Sequence, residues 1–117
     1  MPIISYKKKI SDALKIMNQK KLGIVVVTKN RYILGLITDG DLRRVFNDTS
    51  KEKHLKKIIK NYPYVINESM PASKALGFMS EKKITSLLVV SDKEFKKKNK
   101  TLKGIIHIHS LLQDGIK

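Results

Sequence analysis

An internal repeat constrains this chain more than any other feature. Ala13-Leu14-Lys15-Ile16-Met17-Asn18-Gln19-Lys20-Lys21-Leu22 lines up without gaps on Ala75-Leu76-Gly77-Phe78-Met79-Ser80-Glu81-Lys82-Lys83-Ile84. Each copy continues into an apolar, β-branched run. In the first, Ile24 to Thr28 is followed by a polar turn at Lys29-Asn30-Arg31 and then by Ile33 to Ile37, the pattern of a hairpin. In the second, Leu87 to Val90 and Gly104 to Ile106 flank a lysine-rich connection, Lys93 to Lys103, in a surface turn where extra length is tolerated. Ile10, Ala13, Leu14 and Met17, mirrored by Ala72, Ala75, Leu76 and Met79, recur at three and four residues and form one buried helical stripe per copy, the methionines being core filler.

Short extended pieces, Ile3-Ile4 and Tyr64 to Ile66, precede the two helices. Ser11 or Asp12 is the expected cap of the first helix. Ser69 and Pro71 are the expected cap and first-turn proline of a second helix over Ala72 to Lys82. The fold class is therefore α+β: two β-α-β-β-α units packed with pseudo-twofold symmetry, burying together the β-branched runs that neither buries alone. Domain 1 spans 1–50 and domain 2 spans 64–117. Between them, 51–63 is a linker in which Glu52 to Lys60 forms a helix with Leu55, Ile58 and Ile59 on one side, ending before Tyr62-Pro63. Cores below about 40 residues rarely hold alone, so the halves of a 117-residue chain are expected to fold together.

Cysteine is absent, which excludes disulfides, thiolate chemistry and cysteine-ligated metals. Apolar runs such as Leu22 to Val27 and Ile84 to Val90 fall far short of the roughly 18 to 20 residues that cross a membrane. Lys7 to Lys9 lead into an amphipathic stretch and not into the apolar core of a signal peptide. The expectation is a soluble, cytoplasmic protein without a membrane partner. The formal charge of +15 would alone suggest a nucleic-acid partner. However, the lysines spread through every segment and lack aromatic residues for stacking on bases, so they read as solvated faces and no nucleic-acid partner is expected.

The segment Gly35-Leu36-Ile37-Thr38-Asp39-Gly40-Asp41-Leu42-Arg43-Arg44 carries the most chemistry. A strand ends, a hydroxyl and two carboxylates surround a glycine, and a helix starts with two arginines. Free N–H groups at a helix start favour an anion, Thr38 can donate to it, Arg43 or Arg44 can add charge-assisted bonds, and Asp41 suits two vicinal ribose hydroxyls. The same Thr38-x-x-Asp41 spacing is also a capping-box pattern that merely starts a helix over Leu42 to Phe46.

Gly35-x-x-Thr38-x-x-Asp41, closing a strand-strand-helix unit, resembles the nucleotide-binding signature of CBS domains. The resemblance implies that Thr38 serves the phosphate and Asp41 the ribose. The longer strings, Ile33 to Arg44 and Gly104-Ile105-Ile106-His107-Ile108-His109-Ser110-Leu111-Leu112-Gln113-Asp114-Gly115-Ile116, are similar to the CBS pair of arabinose 5-phosphate isomerases. In that family the pair follows a sugar isomerase (SIS) domain interconverting ribulose and arabinose 5-phosphates for Kdo synthesis. No SIS domain lies in these residues, and the match begins at Pro2-Ile3-Ile4 inside the first repeat, so an excised fragment is expected. The ligand-binding set implied is Thr38, Asp39, Asp41, Arg43, Arg44, Ile4, Gly23, His107 and His109, in a cleft between the repeats. No cofactor is required. The implied regulatory ligand is an adenine nucleotide (AMP, ADP or ATP) or CMP-Kdo, and the implied assembly is a homodimer through CBS helices within a tetrameric parent enzyme. The Thr-Asp-Gly-Asp-x-Arg-Arg string also occurs in CBS pairs of sugar nucleotidyltransferases, and a purely structural oligomerisation module is a further alternative.

The second copy departs from the signature, with His107 at the Thr38 position and Ser110 at the Asp41 position. On a strand His107 and His109 would share a face, as donors to a phosphate or carboxylate, as two metal ligands lacking a third, or as structural histidines. His54, in a lysine-rich stretch, is expected to be solvated. No Gly-x-Ser-x-Gly elbow, P-loop or Gly-x-Gly-x-x-Gly fingerprint is present. Catalysis by this chain is not expected, and neither is a metal.

Overall fold

Each of the two hairpins supplies the central strand and one edge of a small three-stranded sheet. In the computed structural model, which describes residues 1–20, 23–46, 55, 58–59 and 64–109, the first unit runs β1 (Ile3–Ser5), α1 (Ile10–Lys20), β2 (Ile24–Lys29), β3 (Tyr32–Thr38) and α2 (Asp39–Phe46). The second runs β4 (Val65–Asn67), α3 (Ala72–Lys82), β5 (Ser86–Val90) and β6 (Gly104–His107). Sheet orders are β1-β2-β3 and β4-β5-β6. The first pair in each sheet is parallel and the second antiparallel, as a helical crossover followed by a hairpin requires. The chain divides into compact units Met1–Tyr62 and Pro63–Lys117.

β2 and β3 meet through a two-residue turn, Asn30 and Arg31, both at positive φ (50° and 69°), which matches the strand twist. Lys29, expected in the turn, instead pairs with Tyr32. The register shifts between Val27 and Thr28, whose partners are Gly35 and Ile33, so Leu34 is the extra residue of a bulge and sits at the surface.

Both helix starts differ from expectation. α1 begins at Ile10, ahead of Ser11 and Asp12, and Asp12 reaches back to accept the Lys9 N–H at 3.0 Å. That is the return half of a capping box, which places Asp12 inside the first turn and not at its cap. Before α3, Pro71 itself is the cap residue, with extended backbone and no side-chain cap bond. Ser69 is drawn away because its hydroxyl donates to Asp92 at 2.8 Å. α3 ends with Lys83 left-handed (φ 57°), and the Ile84 N–H returns to Met79 O at 3.0 Å, a Schellman closure that delivers Ile84 to the core.

The first core gathers Ile10, Ala13, Val25, Val27, Ile37 and Leu42. Leu55, fully buried, joins it and donates its N–H to Lys8 O at 3.1 Å. Ile58 and Ile59, expected on the same side of the connecting helix, pack against this core too, with the Ile58 N–H bonded to Leu55 O at 2.9 Å; the other residues of that segment lie outside the described residues, as does the segment after His109, including Ser110. The second core holds Ile66, Ala75, Met79 and Leu87, with Phe78, Ile106 and Ile108 against it. Leu14, Ala72 and Leu76, expected within the stripes, are partly buried at the core margins.

Three carboxylates, Glu94 within the lysine-rich connection, Asp92 just before it and Glu68 after β4, organise that connection. Glu94 accepts from the Thr101 N–H and hydroxyl, while its N–H bonds Ser91. Asp92 accepts from Asn67 Nδ2 (2.9 Å) and the Ser69 hydroxyl, and donates its N–H to Glu68 Oε2 at 3.1 Å. Glu68 in turn holds Lys103 at 2.5 Å. The Lys103 bond pulls the Glu68 pKa below its ordinary value, and the Ser69 and Asn67 bonds do the same for Asp92.

Carboxylates held low when folded stabilise above their unfolded pKa, and that contribution is lost as pH falls through the folded value. Thermal unfolding between pH 7 and 3 should therefore show a shallower acid decline in Asp92→Asn than in the parent chain; identical slopes would contradict the clamp. Leu87→Ala should cost about 2–5 kcal/mol in urea unfolding, whereas Leu34→Ala at the bulge should stay within about 0.5 kcal/mol.

Candidate functional site

β3 hands over to α2 without a loop, since Thr38 closes the strand and Asp39 opens the helix. The helix starts three residues ahead of the expected Leu42. The Asp41 N–H bonds Thr38 Oγ1 at 3.2 Å, and the Thr38 N–H returns to Asp41 Oδ2 at 2.9 Å. This is a reciprocal capping box. The two residues expected to meet a ligand are thus first of all each other's partners.

The remaining carboxylate oxygens turn to the arginines of the same helix. Asp41 Oδ1 accepts from Arg44 and Asp39 Oδ2 from Arg43, at spacings of three and four residues. Asp39 raises the Arg43 pKa by hydrogen bonding and by charge. Both guanidiniums are largely exposed, while the Asp41 side chain is only 20% exposed.

Gly23 completes the junction: its carbonyl accepts the Asp39 N–H at 2.9 Å, tying the approach to β2 to the start of α2. It does so at φ 76°, in the left-handed region. Beside this contact lies an open depression of about 310 Å³ lined by Met17, Asn18, Gly23 and Asp39. Of the expected site residues, the first unit gathers Gly23, Thr38, Asp39, Asp41, Arg43 and Arg44 at one end of β3. The Ile4 side chain lies in the core, 6% exposed. Met17, expected only as core filler, both fills the core and lines the depression, and Asn18 was not singled out from the sequence. No motif marks them, because only the packing of α1 brings them to Gly23.

In the second unit His107 occupies the place of Thr38. It ends β6, and its Nδ1 accepts the His109 N–H at 3.2 Å. Ile108 and His109 are already helical, which corrects the expectation that the two histidines share a strand face. Their rings nevertheless stack, 4.9 Å apart and 24° from parallel. Opposite His107 stands Ser86, whose hydroxyl is buried without a partner among the described residues. Among those residues no three histidine, aspartate or glutamate side chains converge as metal ligands, and no helix is long and apolar enough to cross a membrane.

With this geometry in view, a sequence model of the CBS domain matches residues 1–48 and 55–115. An uncharacterized protein of Rickettsia prowazekii, RP505, is 36% identical over 99% of this chain and 34% of its own length. Arabinose 5-phosphate isomerase KdsD of Francisella tularensis is 30% identical over 97% of the chain and 33% of its own length. The chain thus spans about a third of the curated relatives it matches. Among solved structures, the CBS domain of a bacterial CNNM/CorC family Mg2+ transporter in complex with ATP superposes with a TM-score of 0.76 at 18% identity, covering 97% of this chain and 77% of the other. CBSX2 in complex with AMP gives a TM-score of 0.76 at 19% identity, over 97% of this chain and 85% of the other.

Thr38→Ala removes one arm of the capping box and should cost about 1 kcal/mol in chemical denaturation. Gly23→Ala has open space for its methyl but strains a left-handed backbone, at roughly 1–2 kcal/mol. Wild-type stability in either variant would contradict the junction as described.

Proposed function

This chain belongs to the CBS domain family, and from that premise we propose that it is a regulatory, non-catalytic module that binds an adenine nucleotide at the β3–α2 junction of its first unit. The observation that carries the reading is the side-chain set at that junction. Thr38 closes β3, and Asp41, Arg43 and Arg44 stand on the first two turns of the helix that follows, beside the depression lined by Gly23 and Asp39. A phosphate suits the N–H groups and hydroxyl at the helix start, an arginine supplies charge-assisted bonds, and the Asp41 carboxylate suits a ribose diol. ATP in the transporter's CBS domain and AMP in CBSX2 support the ligand class.

The similarity to arabinose 5-phosphate isomerases, KdsD of Francisella tularensis and of Yersinia pestis among them, supports a sugar-phosphate isomerase as the parent protein. In this reading a SIS catalytic domain lies outside this chain, CBS pairs associate as a homodimer within a tetramer, and the parent enzyme is cytoplasmic. Nucleotide occupancy regulates the isomerase if the ligand binds two arrangements of the module with different affinity, a coupling of about 1–3 kcal/mol. CMP-Kdo, with a phosphate and a carboxylate, is the competing ligand for the same basic groups.

A thermal-shift series with AMP, ADP, ATP and CMP-Kdo tests the reading. At about 100 times its dissociation constant a ligand adds roughly 2.7 kcal/mol, several degrees for a domain of this size. AMP or ATP should raise the melting temperature of the parent chain and leave Asp41→Ala at its own, lower baseline. A shift with CMP-Kdo alone would replace the ligand, and no shift with any compound would sink the sensor reading in favour of an assembly module.

A further inference from the structure

Asp41 is fully engaged in this structure. One oxygen takes the Thr38 N–H, the other takes Arg44. A ribose diol accepted in bidentate fashion needs both oxygens. Oδ2 can keep the Thr38 bond, because a carboxylate oxygen accepts more than once, and losing that bond would open the helix cap. Arg44 is the partner that must give way. Its bond joins two ionised groups, and the ribose hydroxyl bond that would replace it is charge-assisted on the carboxylate side alone, but the guanidinium is 64% exposed, so solvent screens the pair and makes it exchangeable.

The position of Arg44 supplies the other half of the exchange. A methyl group built on Gly40 would lie 3.7 Å from Thr38 Oγ1 and 3.8 Å from Arg44 Nη1. The guanidinium and the hydroxyl therefore flank the same bare backbone in the first turn of α2, beside the N–H groups that suit a phosphate. An arginine released from Asp41 is already next to an anion seated there. Resting on the reading of this junction as a nucleotide site, we propose that Arg44 is an exchangeable counter-ion that makes the site selective for phosphorylated ligands: it leaves Asp41 for the ribose and transfers to the phosphate. A neutral nucleoside displaces the same arginine and offers it nothing in return. Selection against the unphosphorylated nucleoside thus arises from a competitor built into the helix, in addition to direct attraction for the phosphate.

Calorimetric titration with AMP and with adenosine tests this on the parent chain, Arg44→Gln and, as a charge-matched control at the hairpin end of the same sheet, opposite the end where Thr38 pairs with Ile24, Lys29→Gln. In Arg44→Gln, AMP should weaken about tenfold through the lost bond to a charged group. Adenosine should tighten about two- to fivefold, because its competitor at Asp41 is gone. The AMP-to-adenosine preference collapses from both sides, and Lys29→Gln leaves it unchanged. Equal weakening of both ligands, or an unchanged pair of affinities, would overturn the exchange while leaving the nucleotide site standing. A parent chain that binds neither compound would overturn both.

Discussion

Thr38 and Asp41 hold each other across the end of β3, and the junction is built on that reciprocity. It lets a strand become a helix with no intervening residue, and it satisfies two backbone donors that would otherwise be orphaned at the helix start. It also fixes where every other group at the junction stands. Asp39 is drawn to the Gly23 carbonyl, and the arginines fall one turn further on, within reach of the carboxylates that precede them. The same residues that terminate a strand economically are those that offer an anion its donors and a diol its acceptor. Capping and ligand recognition are therefore not competing explanations of Thr38-x-x-Asp41. The cap organises the resting arrangement, and in the proposed reading the ligand chemistry uses what the cap has positioned.

The second unit shows how much of this is scaffold and how much is chemistry. Its sheet repeats the parallel-antiparallel order of the first, and the strand that pairs like β3 again ends in a residue whose side chain accepts a following backbone N–H. Here that residue is His107, so the capping function survives while the hydroxyl is replaced by an imidazole stacked on His109. The hairpin differs in the same spirit. Two left-handed residues suffice between β2 and β3, whereas the connection between β5 and β6 is held by Glu94, Asp92 and Glu68. The two units share the backbone solution and differ in the side chains that complete it.

Sequence periodicity made the scaffold legible. The helical stripe through Ala13 and Met17 and its image through Ala75 and Met79, with the β-branched runs behind them, specify elements whose cores form as expected. Helix starts were less legible, because a strong capping residue is recruited only if nothing else claims it. Ser69 is claimed by Asp92, 23 residues away, and Asp12 acts from inside the first turn. The site was legible where it is local: Thr38, Asp41 and the two arginines lie within seven residues of one another. Local pattern marked Met17 and Leu55 as apolar, but it did not encode that α1 brings Met17 and Asn18 beside Gly23 or that Leu55 joins the first core from far along the chain.

The central claim is that one short segment, Thr38 to Arg44, is both the cap of α2 and the seat of a nucleotide. The most direct test is an amide NMR titration of this chain with AMP. The account predicts saturable shifts concentrated at Gly23 and at residues 38 to 44, with the Thr38 and Asp41 amides still protected from exchange because the cap persists in the complex. Shifts confined to residues 104 to 109, or loss of protection at Thr38 and Asp41 on binding, would contradict it.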